Sequence, residues 1–209
     1  MQSKLNILIF MLVLLLPGAA ASAGFDEGTH YIEIPFSESL KTGDKVEVRE
    51  FFWYGCGHCF QLEPLLHNWL EKKPEAAQFV TTPAFLPKRE AHAKAYYAFE
   101  AMGKLEKLHT AFFNALHVDQ RKLDTAEAIA DFVDEQGEDK KAFLKAFKSF
   151  ATDHKVKQAM QLGQQYGISS VPTIVIDGRY FTTAGMTGSH EKMLELVDFL
   201  VEKIAKERK

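Results

Sequence analysis

Both cysteines of this 209-residue chain lie in one short segment, Cys-Gly-His-Cys at residues 56–59. The segment follows the apolar run Phe-Phe-Trp-Tyr-Gly at residues 51–55, which predicts a buried strand. The repeat of leucines that comes next predicts a helix beginning at the cysteines. Two thiols separated by two residues at such a junction favour redox chemistry, so the sequence predicts a dithiol centre.

The position of each residue in this segment predicts its role. A thiol at the first turn of a helix faces unpaired backbone N–H groups and the positive end of the helix dipole, and both favour the thiolate. Cys56 is therefore expected to be an acidic, exposed nucleophile, and Cys59, one turn further, the resolving thiol. His58 can add positive charge or a hydrogen bond to the Cys56 thiolate, and Gly57 lets the chain turn tightly.

Three other interpretations of the cysteine pair are a structural disulfide, a structural zinc site and a copper site. A structural disulfide would close a very short loop and contribute little stability by the loop-entropy argument. Structural zinc needs four ligands, and the chain has no second cysteine pair or cysteine and histidine pair at suitable spacing. Copper held by the two thiolates and His58 is a further alternative. The redox interpretation is favoured, and with it the sequence predicts no cofactor and no metal site.

The first 23 residues have the pattern of a secretory signal peptide. Residues 1–4 carry one lysine, the twelve residues 5–16 are apolar apart from Asn6, and residues 21–23 form the cleavage pattern Ala-Ser-Ala. An uncleaved anchor is the alternative, but the apolar run is short for a membrane span. We expect cleavage after Ala23 and export to an oxidising compartment, where a catalytic disulfide persists.

The rest of the chain is predicted to be one α/β layer carrying a helical insertion. The formal net charge of −3 at pH 7 gives no basis for nucleic-acid binding. Strands predicted on either side of the helical block cannot form a sizeable sheet separately, so they belong together. We therefore predict an α/β domain from residues 24–87 and 167–209, with an inserted helical domain at residues 88–166.

Caps, turns and apolar repeats place the individual elements. Asp124 or Thr125 is expected to cap one helix of the insertion, Asp139 to cap a second that continues through Phe150, and Ser189 to cap the last helix. The insertion should contain four or five amphipathic helices. The predicted strands are residues 31–36, 45–54 and 78–86, and a terminal hairpin made of residues 172–176 and 179–183.

Glu50 is an acidic residue on the apolar face of the strand that leads to the cysteines. Alternate residues of a strand point to the same side, so Glu50 shares its face with Val46, Val48 and Phe52. If Glu50 is buried, loss of hydration raises its pKa, and its carboxyl group can then take the proton of Cys59. A satisfied or solvated carboxylate with a structural role is the alternative.

These segments together resemble the DsbA thiol:disulfide interchange proteins of the bacterial periplasm. The resemblance rests on residues 52–59, on a helix interrupted by Pro64, on the helical insertion, and on Ser-Val-Pro-Thr at residues 170–173 before the terminal hairpin and helix. It covers the whole chain after the predicted signal peptide. It implies an α/β thioredoxin fold with a helical domain inserted between the two halves of the sheet.

The resemblance also implies a function. A protein of this family donates its disulfide, here Cys56–Cys59, to reduced proteins that have been newly exported, and a DsbB-type membrane quinone reductase reoxidises it. Val171 and Pro172 match the family's cis-proline loop, which lies beside the cysteines and binds the substrate backbone. Glu50 matches the family's buried acid beneath the resolving cysteine.

Two positions differ from the family pattern. Gly57-His58 stands between the cysteines, as in eukaryotic protein disulfide isomerases, where DsbA commonly has Pro-His. Val80 stands where the family has a buried lysine on the third strand. The oxidising strength and the proton network around Glu50 are therefore expected to differ from those of DsbA.

Four other activities are alternatives to an oxidase. Periplasmic isomerases are usually dimers with a separate dimerisation domain, for which this chain has no spare segment, so we expect a monomer. A reductase is distinguished from an oxidase by its reduction potential. A chaperone or peptide-binding module would keep its activity after loss of Cys56, and a copper carrier would retain metal on purification.

Overall fold

A computed structural model describes residues 24–35, 37, 40, 43–84 and 90–208. The predicted signal peptide, residues 1–23, lies outside these ranges. No helix within them is both long enough and apolar enough to cross a membrane.

The strands are β1 (Ile32–Glu33), β2 (Val46–Phe52), β3 (Ala77–Pro83), β4 (Thr173–Ile176) and β5 (Tyr180–Thr182). The helices are α1 (Gly57–Leu70), α2 (Glu90–Ala101), α3 (Leu105–His117), α4 (Ala126–Glu135), α5 (Lys140–Phe147), α6 (Phe150–Gln165), α7 (Ala184–Thr187) and α8 (His190–Glu207).

The five strands form one sheet in the order β1-β5-β4-β2-β3. β2 and β3 are parallel and are joined through α1, whereas the other neighbouring strands are antiparallel. β3 is the last strand of the sheet, and Pro83 is tolerated there because an edge strand does not need every backbone N–H for pairing. Glu50 pairs with Thr81 of β3 and with Ile174 of β4, so it lies on a strand that has a neighbour on each side.

The two faces of β2 differ as the alternation of its residues predicts. Val46, Val48 and Glu50 are buried on one face. On the other face, the Arg49 guanidinium donates to the Glu47 carboxylate at 2.7 Å. Helices α1 and α8 cover the first face with an apolar cluster, in which one side of α8 is buried: Met193, Leu196, Val197, Leu200 and Ile204.

The insertion consists of α2 to α6 and lies between β3 and β4. Its aromatic side chains belong to the same apolar cluster as the end of β2 and Cys59. Phe52, Tyr54 and Cys59 are buried there against Phe99 and Phe112 of the insertion. The insertion therefore completes the core beneath the dithiol segment. A thioredoxin-type sheet interrupted by a helical insertion is the fold that the sequence predicted.

Capping side chains fix where the helices begin. Thr125, one of the two predicted candidates, accepts from the Ala128 N–H, and the predicted caps Asp139 and Ser189 are also confirmed. The continuation of the Asp139 helix through Phe150 was wrong. Ser149 accepts from the Thr152 N–H and starts α6, so Phe150 is the first residue of a new helix and is 84% exposed.

Several predicted strands are shorter than their apolar patterns. The first is only the pair Ile32–Glu33, and the strand leading to the cysteines stops at Phe52. The turn of the terminal hairpin is at the predicted position, because Asp177 and Gly178 have φ of 57° and 67°. The predicted end of the third strand at residues 85–86 lies outside the described residues.

Candidate active site

Cys56 is the N-cap of α1 and not a residue of its first turn. Its backbone is extended, with φ −92° and ψ 116°, so its sulfur turns back over the start of the helix. The Cys59 backbone N–H donates to Cys56 Sγ at 3.4 Å. The thiol therefore occupies the place where helices hold an anionic or polar cap. The Cys56 thiol is partly buried, although its place in the sequence predicted an exposed thiol.

The surroundings of Cys56 favour its thiolate. The hydrogen bond from the Cys59 thiol, the backbone N–H groups of Cys59 and His58, and the charge of His58 outweigh loss of hydration. Together they lower the pKa of Cys56 to about 6. A thiol with this pKa is largely ionised at neutral pH, which makes it both a good nucleophile and a good leaving group.

Cys59 has the opposite surroundings. It has no exposed surface, because Phe52, Tyr54 and the insertion cover it. Its hydrogen bond to Cys56 and its burial raise its pKa, and the nearby Glu50 adds to this effect. Cys59 is therefore a protonated thiol at neutral pH while Cys56 is the anion. Both cysteines are free thiols in this structure.

The loop before β4 lies against Cys56. The Val171–Pro172 peptide bond is cis, and Cys56 Sγ is 3.4 Å from the Val171 carbonyl oxygen. A groove of about 570 Å³ opens beside this contact. His58 and His190 face one another across it, with ring centroids 6.3 Å apart. Burial and the charge of His58 lower the pKa of His190.

Glu50 lies beneath the cysteines, as predicted, and is 1% exposed. Its Oε1 atom has no hydrogen-bond partner. Burial raises its pKa well above the ordinary value, and the negative charges of Glu63 and Cys56 act in the same direction. Thr81 is its partner on β3, and the neighbouring Val80 pairs with Arg49, so the family's lysine has no counterpart at this point of the strand.

Three polar side chains around Glu50 were not singled out by the sequence analysis. The Tyr54 hydroxyl is 2.7 Å from His109 Nδ1, and His109 Nε2 is 3.2 Å from Glu63 Oε1. Glu63 could have been found from its spacing, since it follows Cys59 by one helical turn and shares its side of α1. His109 carries no such signal, because it reaches the site from α3 of the insertion.

The residues between β2 and α1 pack tightly around Trp53. The Trp53 indole N–H donates to His92 Nδ1 at 2.9 Å, and His92 Nε2 is 3.1 Å from the Leu123 carbonyl oxygen. The indole ring crosses directly over Gly55, where a Cβ atom would lie 2.2 Å from it. Only glycine fits at this position while the indole keeps its place.

Comparisons with known proteins agree with this geometry. Residues 88–195 match the family model described as DSBA-like thioredoxin domain. The chain is 41% identical over 176 residues to the thiol:disulfide interchange protein DsbA of Azotobacter vinelandii, covering 84% of this chain and 82% of that protein. It is 38% identical to the DsbA of Pseudomonas aeruginosa strain PAO1 over 186 residues, 88% of each chain.

Solved structures give the same result. The crystal structure of Pseudomonas aeruginosa DsbA superposes with a TM-score of 0.82 at 37% identity, covering 88% of this chain and 97% of that one. By these relatives and this site, the chain belongs to the DsbA family of thiol:disulfide interchange proteins and is a disulfide-introducing oxidoreductase.

Proposed function

We propose that this protein donates a Cys56–Cys59 disulfide to reduced, newly exported proteins in the periplasm. The observation that carries the proposal is the opposite ionisation of the two thiols. Cys56 has a pKa of about 6, whereas burial and its bond to Cys56 raise the pKa of Cys59. A stable Cys56 thiolate favours the reduced enzyme, and this drives the disulfide toward the substrate.

The reaction has two exchange steps. A substrate thiolate attacks Cys56 Sγ, the bond between Cys56 and Cys59 breaks, and Cys59 leaves with the electron pair and takes a proton. A second substrate thiolate then attacks the substrate sulfur of the mixed disulfide, and Cys56 leaves as a thiolate. The substrate loses two electrons to form its disulfide, and the enzyme gains them as two reduced sulfurs.

Each remaining site residue has a proposed role. Glu50 gives a proton to Cys59 when the Cys59 sulfur leaves the disulfide. Glu50 takes a proton from Cys59 when Cys59 attacks a mixed disulfide during reoxidation. Its raised pKa suits a group that must be protonated in one step and ionised in the other. His58 stabilises the Cys56 thiolate. The backbone of Val171 and Pro172 binds the substrate chain within reach of Cys56.

The proposal extends to partners and domains. We assign reoxidation to a DsbB-type membrane quinone reductase, which takes the two electrons from Cys56 and Cys59. Residues 1–23 are removed as a signal peptide, residues 24–87 and 167–209 form the thioredoxin-like domain, and residues 88–166 form the inserted domain. The protein acts as a monomer. N-terminal sequencing of the exported protein tests the cleavage, and its expected first residue is Gly24.

The redox equilibrium with glutathione tests the oxidase assignment. Purified protein is equilibrated at pH 7 with graded ratios of reduced to oxidised glutathione, and the oxidised fraction is measured by thiol trapping. We expect half-reduction at a potential well above the roughly −270 mV of thioredoxin. A potential near that of thioredoxin would instead identify a reductase. Membrane vesicles that contain a DsbB-type protein should then reoxidise the reduced enzyme.

A further inference from the structure

The starting observation is an unsatisfied oxygen beneath the active site. Within the described part of the chain, Glu50 Oε1 is the only buried side-chain nitrogen or oxygen without a hydrogen-bond partner. A buried polar atom without a partner costs about 1–3 kcal/mol, so folded proteins rarely retain one without a functional reason. If Glu50 exchanges protons with Cys59, those protons must also reach solvent.

A cavity of about 310 Å³ provides space for such a path. Glu50 and Glu63 both line it, together with Tyr96 and His109. Its volume is enough for several water molecules, each of which needs only about 10–15 Å³ of accessible space. Glu63 and His109 have 19% and 16% of their side-chain surface exposed. The cavity thus links the fully buried carboxyl group to groups that touch solvent.

His109 is held at the outer end of this cavity by two hydrogen bonds. Its Nε2 is 3.2 Å from Glu63 Oε1 and its Nδ1 is 2.7 Å from the Tyr54 hydroxyl. A tyrosine hydroxyl both donates and accepts, so it can remain bonded to Nδ1 whether the imidazole is neutral or protonated. Burial raises the pKa of Tyr54 well above its ordinary value, which keeps that hydroxyl protonated.

The charges around the cavity make a base necessary. No lysine or arginine is among the described residues that line it. Two carboxylates that share a cavity repel one another when both are ionised, and this opposes release of a proton from Glu50. Imidazole exchanges protons with water near neutral pH. The titratable groups facing His109 are Glu50 on β2, Tyr54 at the start of the active-site loop, Glu63 and His67 on α1, Tyr96 on α2 and Glu106 on α3.

We infer that His109 carries the proton of Glu50 between the buried cavity and solvent, through Glu63, and is thereby a positioning residue for disulfide exchange. The inference rests on the proposed role of Glu50. When Glu50 gives up its proton, the proton passes through cavity water to the Glu63 carboxylate. The neutral imidazole of His109, with its Nδ1–H donated to the Tyr54 hydroxyl, takes the proton at Nε2 from Glu63. The same Nε2 then releases it to bulk water, and the reverse path reloads Glu50 before the next disulfide is donated.

The test is the pH profile of single-turnover disulfide donation to a reduced peptide, measured by stopped-flow fluorescence from pH 5 to 8. His109→Gln keeps a hydrogen-bonding side chain but cannot carry a proton. We expect its rate constant at pH 7 to fall roughly tenfold, less than the ~10²–10⁴-fold of a direct general acid because water partly replaces the relay. The absorbance titration of the Cys56 thiolate should not move.

Chemical rescue separates a proton carrier from a structural residue. His109→Gly leaves a space that free imidazole can enter, and added imidazole should restore most of the rate with a pH dependence that follows the added base. The control is His154, on α6 of the insertion, whose ring centroid is 6.1 Å from that of the exposed Phe150 and which does not line the cavity. His154→Gly should show no rescue, and His154→Gln should keep the parent pH profile.

A parent-like pH profile in His109→Gln, or no rescue of His109→Gly by imidazole, overturns the role of His109. If His109→Gln is parent-like while Glu50→Gln is slow, only the relay fails and the role of Glu50 stands. If Glu50→Gln is also parent-like, the proton-exchange role of Glu50 fails with it. A protein that does not oxidise the peptide at all contradicts the proposed function itself.

Discussion

Only two residues separate Cys56 from Cys59, yet the pKa values of the two thiols shift in opposite directions. The difference lies in what each sulfur faces. Cys56 caps a helix and accepts a hydrogen bond from a backbone N–H group, whereas Cys59 is buried in the apolar core shared with the insertion. At the scale of single residues, the opposite pKa shifts follow from the hydrogen bond between the two thiols, from the helix cap at Cys56 and from the burial of Cys59, with a further contribution from His58.

Serine substitutions at the two cysteines should have different effects. Cys59→Ser removes the resolving thiol and leaves the Cys56 nucleophile, so mixed disulfides with substrate proteins should accumulate. Cys56→Ser leaves only a buried, protonated thiol, which should trap little. Non-reducing gels of cells expressing each variant measure this. Equal trapping by both variants would contradict the assigned roles, and stronger trapping by Cys56→Ser would mean that the roles are reversed.

Glu50→Gln should stabilise the fold, and the gain should depend on pH. Burial raises the pKa of Glu50 in the folded chain above its unfolded pKa of about 4.3. The contribution of Glu50 to stability is therefore fully present below a pH of about 4.3, and it is lost as the pH rises through the folded-state pKa. The variant should thus gain at least roughly 1 kcal/mol at pH 7, since one pKa unit corresponds to about 1.4 kcal/mol, and little at pH 4.

Denaturant unfolding of the reduced protein at pH 4 and pH 7 checks this. The control is Glu47→Gln, on the opposite face of the same strand, which removes a carboxylate bonded to Arg49 at 2.7 Å and should bring no gain. A gain for Glu50→Gln that is equal at both pH values would show that the carboxyl group does not titrate differently in the folded and unfolded chains.

At the scale of elements, the junction between β2 and α1 determines whether the dithiol is presented correctly. Gly55 is needed there because the Trp53 indole lies across it, and the indole is fixed by His92 of α2. The hydrogen bond to α2 of the insertion therefore helps to hold the junction in place, in addition to the junction's own turn. Displacement of the indole would disturb both the start of α1 and the packing of α2.

Gly55→Ala should lower the free energy of unfolding by about 1–3 kcal/mol, the usual cost of forcing extra atoms into a packed site. Loss of the hydrogen bond between Trp53 and His92 should also change the tryptophan emission. Gly57→Ala is the matched control, since its Cβ would meet nothing within 4 Å. If both alanine variants unfold alike, the close contact at Gly55 does not restrict the side chain.

The same elements show what sequence patterns could and could not predict. Helix starts at Asp139 and Ser189 were predictable because a capping side chain bonds to N–H groups two or three residues away. Phe150 was assigned to the wrong helix because the apolar repeat outweighed the cap at Ser149. His109 could not be found, since its contact with Glu63 spans 46 residues and depends on how α3 meets α1.

At the scale of the whole molecule, oxidation state and stability are coupled through Cys56. A lowered folded-state pKa gives a contribution to stability that is fully present above the ordinary thiol pKa of about 8.5 and is lost as pH falls through about 6. Only the reduced protein has this thiolate. The reduced form should therefore be the more stable one at pH 7, with the difference closing toward pH 5.

Denaturant unfolding of the reduced and the oxidised protein between pH 5 and pH 8 measures the difference. The midpoint of the reduced form should rise with pH across this range relative to that of the oxidised form. An oxidised protein that is the more stable form at pH 7, or a difference that does not change with pH, would contradict the coupling.

The contact between Cys56 Sγ and the Val171 carbonyl joins residues 115 positions apart in the chain. A ribosome adding about 5–20 residues per second needs roughly 6–23 seconds to synthesise the intervening segment. During that interval the cysteines exist without the Val171–Pro172 loop, without β4 beside β2, and for part of it without the insertion that buries Cys59. The nascent chain is therefore an ordinary dithiol peptide, and it acquires its own oxidising chemistry only after most of its length has been made.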